Sequence, residues 1–182
     1  MRDFIEDAIK GQDADYLEIR VEESQASHIR YQGKELDGIG STNGKGGNIR
    51  ALVGGGWGFV CFNELSGLRD KVELAIHQAR LVKGPNRRLA PVEPVVDIVK
   101  PHIVKDPANM SIADKKRYLD EYNEIIWSTP NIQSSVIGYQ DSRKKRYFAN
   151  SEGTYIEQER VDVTLRVMAI AQKNGDVQQA GF

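Results

Sequence analysis

Residues 16–22, YLEIRVE, alternate strictly: Leu17, Ile19 and Val21 fall on one side and Glu18, Arg20 and Glu22 on the other. A period of two is the signature of a strand with one face buried. Further strands are predicted near 26–32, 35–42, 48–53 and 57–62, punctuated by the glycines of NGKGGN (43–48) and GGGWG (54–58). In the second half, strands are predicted at about 132–141, 144–150 and 154–172. The last has the clearest alternation, with Val161, Val163, Leu165, Val167, Ala169 and Ala171 on one face, and KNGD (173–176) then signals a hairpin turn.

Three stretches carry the helical period instead. In residues 2–10, Phe4, Ile5, Ala8 and Ile9 share one face. Residues 66–82 repeat Leu68, Val72, Ala75, Ile76, Ala79 and Val82 at helical spacing, with Ser66 placed to cap. SIADKKRYLDEYNEIIW (111–127) opens on a capping pattern, Ser111 with Asp114, and sets Ile112, Tyr118, Leu119, Tyr122 and Ile126 in a stripe. Between the second and third stretches, residues 84–110 hold five of the six prolines, which predicts an extended crossing segment with at most short strands.

The two halves, about 1–90 and 91–182, read alike. Each gives a helix, a strand, a hairpin and a long strand entering a glycine turn, which suggests an internal duplication. The expected fold is α+β, a curved and mainly antiparallel sheet with helices packed on one face. The strand pattern is still running at Gly181 and Phe182, so residues 1–182 are expected to be the N-terminal domain of a longer protein.

Composition narrows the function. Hydrophobic residues make up 40% and charged residues 28%, as in ordinary soluble globular chains. The net charge of −1 supplies no field that would draw the protein to nucleic acid or to a membrane surface. Cys61 is the only cysteine, and the acidic start MRDFIEDAIK is not a signal peptide, so the expected location is cytoplasmic. No apolar run approaches the roughly 18 residues of a membrane span.

The motifs that could carry chemistry fail one by one. GSTNGKG (40–46) is one residue short of a P-loop, and Gly46 stands where a magnesium-binding Ser or Thr is needed. Gly54 and Gly56 would need a third glycine at Phe59 to bind a dinucleotide, so the glycines are read as turn formers and Trp57 as a core or edge-covering aromatic. His28, His77 and His102 form no metal-ligand pair with one another or with Cys61. Glu73 and His77, one helical turn apart, read as a surface pair. The basic run SRKKRYF (142–148) is expected at a solvated hairpin tip, and Cys61 is expected to be buried in its apolar strand.

ADYLEIRVEES (14–24), GGNIRALVGGGWGFVCFNELS (46–66) with the helix after it, and YFANSEGTYIEQ (147–158) together resemble the N-terminal region of the TldD/PmbA family, long called modulators of DNA gyrase. The resemblance covers most of 14–83 and again 131–170, and GGWGF leans toward the TldD arm. It implies a metallopeptidase parent, with zinc held by an H-E-x-x-x-H helix and a later cysteine, and a homodimer or heterodimer of family subunits. That helix belongs to a C-terminal catalytic domain absent here. No His-Glu pair occurs in residues 1–182, so no catalytic, metal or cofactor residue carries over. The chain is therefore expected to be a non-catalytic domain that walls the cleft for unfolded peptide substrates and supports dimerisation, with no nucleic acid and no membrane among its partners. A stand-alone peptide- or protein-binding module is the alternative. The turn Asn150, Ser151, Glu152 and Gly153 is the candidate for lining the cleft, although Asn and Gly suit a tight turn on their own.

Overall fold

The computed structural model describes residues 1–182 except 83 and 86–88, so part of the proline-rich segment lies outside the described residues. The elements run α1 (Arg2–Ile9), β1 (Tyr16–Gln32), β2 (Glu35–Val53), β3 (Gly56–Phe62), α2 (Leu68–Leu81), β4 (Val96–Val99), a 3-10 turn (Pro107–Asn109), α3 (Ile112–Ser128), β5 (Ile132–Asn150), β6 (Tyr155–Lys173) and β7 (Asp176–Gly181). The strands join in one open sheet in the order β3-β2-β1-β5-β6-β4, with β7 also paired to β6. The hairpin pairs β2–β3 and β6–β7 are antiparallel, and the short β4 lies parallel against residues 155–158 of β6. The fold is α+β.

The strands are longer than alternation alone predicts. Residues 43–48, with three glycines, do not break the chain but run on as strand inside β2. The reason is close approach and not turning. A Cβ at Gly47 would collide with the Arg20 carbonyl oxygen and would lie 2.5 Å from the Phe62 ring, so only glycine lets these strands meet. The basic run 142–148 is likewise not a hairpin tip. It lies within β5, where its long side chains alternate across the strand and reach carboxylates: Arg143 to Asp106 at 2.8 Å, Lys145 to Glu157 at 2.7 Å and Arg146 to Glu22 at 2.6 Å.

The chain forms two compact units, both interleaved in sequence. Unit 1 comprises Met1–Glu23, Gly44–Pro101 and Lys144–Arg160. Its core sets Ile5, Ala8 and Ile9 of α1 and Leu68, Val72, Ala75, Ile76 and Ala79 of α2 against Leu17, Ile19, Val21, Ile49, Ala51, Tyr147 and Ala149 of the strands. Gly54 and Gly55 take φ of 55° and 82°, the left-handed pair that a two-residue hairpin requires. Gly56 and Gly58 serve a different purpose. A Cβ at Gly58 would collide with the Ala75 carbonyl oxygen, and one at Gly56 would collide with those of Ala79 and Val82. Helix α2 therefore rests directly on the backbone of β3. Ser66 does not cap it. The N-cap is Gly67, at φ 61°, and the Ser66 hydroxyl bonds Glu64 instead.

Unit 2 comprises Ser24–Asn43, His102–Arg143 and Val161–Phe182. A smaller core joins Ile29, Tyr31, Leu119, Ile137 and Val167, with Ile112 and Ile126 packed beside it. Ser111 caps α3 as expected, its Oγ accepting from the Asp114 N–H at 3.1 Å. The buried stripe of α3 differs from the apolar one: Tyr118 and Tyr122 are exposed, and Lys115 and Asn123 take the buried positions beside Leu119.

Candidate functional site

The turn between β5 and β6 is built by its own polar groups. Asn150 Oδ1 accepts from the N–H of Glu152 at 3.1 Å and of Thr154 at 2.9 Å, and the Asn150 N–H donates to the Thr154 carbonyl at 3.1 Å. Gly153 sits at φ 94°, which a side chain would resist. Ser151 ties the turn to β1: its N–H donates to the Leu17 carbonyl at 2.8 Å, and its Oγ accepts from the Leu17 N–H at 3.0 Å. On the far side, the Thr154 hydroxyl accepts from the Val95 N–H at 3.2 Å. Asn150, Ser151 and Gly153 are thus committed to the turn's geometry, and Glu152 carries its exposed carboxylate at the tip.

A cluster that the alternation hides lies next to it in unit 1. Glu18, Arg20 and Glu22 of β1 read as the water-facing side of that strand. Glu18 is nevertheless only 5% exposed. Its carboxylate accepts from the Tyr16 hydroxyl at 2.8 Å and from Arg50 at 3.3 Å, and Arg20 stands 3.4 Å away. The two guanidiniums stack on aromatic faces, Arg50 over Trp57 at 4.5 Å and Arg20 over Phe148 at 5.3 Å, and Tyr16 meets Trp57 edge-on. Burial, with the hydrogen bond to Glu18 added, pushes the Tyr16 hydroxyl up to about 12, while a hydrogen bond with Asn150 opposes the rise. Trp57, read from the sequence as a core or edge-covering aromatic, is half-buried between Arg50 and Tyr16. The rest of the cluster becomes visible only when β1, β2, β3 and β5 are known to be neighbours, because its members come from four separate strands.

Cys61 is exposed, against expectation. Gly56, Gly58, Val60 and Phe62 face α2, so the strand period turns Cys61 to the other side with Trp57 and Phe59. His77 and Glu73 are exposed on α2, His102 is exposed after β4, and the His28 ring lies against Gly40. Zinc needs three or four converging donors. Among the described residues no group of three His, Cys, Asp or Glu side chains could hold a metal ion, so the donor set does not fit zinc. No helix among the described residues is long and apolar enough to cross a membrane.

Comparison with known proteins gives a consistent picture. Residues 17–79 match the family profile of PmbA/TldA metallopeptidase domain 1, and residues 105–182 match that of the PmbA/TldA metallopeptidase central domain. A metalloprotease of Synechocystis sp. is 36% identical over 167 residues, 91% of this chain and 36% of the relative. A metalloprotease of Methanocaldococcus jannaschii is 28% identical over 172 residues, 90% of this chain and 37% of the relative. Among solved structures, TldE from Thermococcus kodakarensis superposes with a TM-score of 0.77 at 19% identity, covering 100% of this chain and 42% of that one. A modulator of DNA gyrase from Bacteroides thetaiotaomicron superposes with a TM-score of 0.79 at 16% identity, covering 99% and 43%. The chain spans well under half the length of each. On the two profile matches and the Synechocystis relative, the chain belongs to the TldD/PmbA family of metallopeptidases.

Proposed function

We propose that residues 1–182 are the non-catalytic N-terminal domain of a TldD-like zinc peptidase, in which they wall the cleft for unstructured peptides and support pairing with a second family subunit. One observation carries the reading. The chain matches the first and central domains of a metallopeptidase family, yet among its described residues no three donors could hold a metal. The zinc and the general base then belong to the part of the relatives that this chain does not span. Peptides of varied sequence share only their backbone, so a cleft that accepts them profits from strand edges, which bind main chain without reading side chains.

In this reading Asn150, Ser151, Glu152 and Gly153 line the cleft, with distinct tasks. Asn150, Ser151 and Gly153 hold the turn in shape, and Glu152 is the member free to meet substrate. In the complete enzyme, Glu152→Ala should raise KM for an unstructured peptide several-fold and leave kcat and the melting temperature in place. Wild-type KM in that variant would make the turn purely structural. Asn150→Ala should also raise KM, but with a loss of stability, because two backbone N–H groups lose their acceptor.

A further inference from the structure

A sheet edge presents unpaired N–H and C=O groups, and native proteins blunt such edges with short strands, prolines, charges or a covering element. Two edges of unit 1 follow the rule. On β3 the Phe59 N–H is taken by the Gln78 side chain of α2, at 3.2 Å. Strand β4 has only four residues, Val96–Val99, and stands between Pro94 and Pro101.

In unit 2 strand β2 is blunted more weakly, by the carboxylates of Glu35 and Asp37. It pairs with β3 only from Gly47 to Val53. Residues 35–43 therefore have β1 on one side and, among the described residues, no strand on the other. This stretch, ELDGIGSTN, holds no proline, lysine or arginine. Its side chains are exposed, including the apolar Leu36 (39%) and Ile39 (41%).

We propose that this edge pairs with the same edge of a second copy of the chain, antiparallel about a two-fold axis at Ile39. An isologous contact of this kind closes on itself and leaves no further edge to recruit. Cross-strand complementarity chooses the register. With the axis at Ile39, Ile39 meets Ile39, Leu36 meets Thr42, Asp37 meets Ser41 and Glu35 meets Asn43. Each carboxylate then faces a side chain that can donate a hydrogen bond, and no like charges oppose. An axis at Asp37 would oppose two aspartates, and one at Gly40 would set Ile39 against Ser41. Arg30 stands 3.2 Å from Asp37 and tempers its charge. The inference deepens the proposed pairing of family subunits by naming the contact, and it can fail while that pairing survives.

The test uses the full chain. Wild type should elute with twice the 20.4 kDa chain mass, and Ile39→Lys, which sets two ammonium groups face to face, should elute at the chain mass with an unchanged circular dichroism spectrum. In a Cys61→Ser background, Ile39→Cys should be captured as a covalent dimer by a short thiol-reactive cross-linker. The cross-link reads the same edge even if the lysine variant fails to fold. A monomeric wild type at the highest attainable concentration overturns the proposal. So does the absence of the cross-link. A dimer untouched by Ile39→Lys overturns the edge contact but leaves subunit pairing standing. Protection of amides 35–43 from hydrogen exchange only when an unstructured peptide is added would give the edge to substrate and overturn the second copy.

Discussion

Lys115 illustrates what a single residue can decide. Its ammonium sits 2.6 Å from Asp141 and 3.0 Å from Ser27, and the Ser27 hydroxyl donates to Asp141 at 2.5 Å, with all three side chains buried. Burial alone would raise the Asp141 carboxyl, but hydrogen bonds from Lys115, Ser27 and Tyr139 prevail and hold it below its ordinary 3.8. Removing one partner leaves a buried charge alone, so Lys115→Met should cost roughly 3–5 kcal/mol in chemical denaturation, while a paired Lys115→Met, Asp141→Leu variant should recover much of it. The sign with pH follows from linkage. A depressed carboxylate pKa contributes stability above its unfolded value and loses it as pH falls through the folded value. The gap in melting temperature between wild type and Asp141→Asn should therefore be widest near neutrality and close as pH drops below about 3.8. A gap that stays constant well below that pH would show that the charge of Asp141 is not what stabilises unit 2.

At the scale of elements, the glycines of β3 separate two causes that sequence alone merges. Gly54 has open space around its missing Cβ but a φ of 55°, so Gly54→Ala should cost about 1–2 kcal/mol of backbone strain. Gly58 has no positive φ but carries α2 on its backbone, so Gly58→Ala must push the helix away and should cost about 3 kcal/mol or more. Equal melting temperatures for the two variants would refute the seat. The same distinction explains what was legible beforehand. Alternation and helical period located α1, α2, α3 and the stretches of every long strand, and Ser111 announced its own cap. Periodicity could not join 16–22 to 26–32, nor carry β2 through three glycines, because glycine as a turn former and glycine as a place of close approach look alike in a sequence. Polarity also misled. Glu18 read as a surface residue, and Lys115 stood outside the apolar stripe of its helix, because a charge signals water unless its partner is known, and the partners Arg50 and Asp141 lie on other elements. The candidate turn was legible as a turn from Asn150 and Gly153, but its tie to Leu17 through Ser151 was not.

For the whole molecule, purified residues 1–182 should retain less than one zinc per chain after dialysis and should release no product from unstructured peptides. Stoichiometric zinc by elemental analysis would overturn the division of labour proposed for the family parent. Contacts also differ in how far along the chain they reach. The β2–β3 hairpin and the α2 seat join residues only some twenty apart, such as Gly58 and Ala75. The buried network joins Ser27 to Asp141 across 114 positions. Closing a long loop costs entropy before any contact repays it, so local structure tends to form first and distant pairing later. The β3–α2 seat should accordingly be part of the rate-limiting nucleus, with Gly58→Ala slowing refolding, while Lys115→Met should mainly speed unfolding. The β3–α2 seat would then form while the strands joined by distant contacts, such as β1 and β5, still lack their partners. During that interval those unpaired strands would be the part of the chain most open to aggregation and to capture by a chaperone.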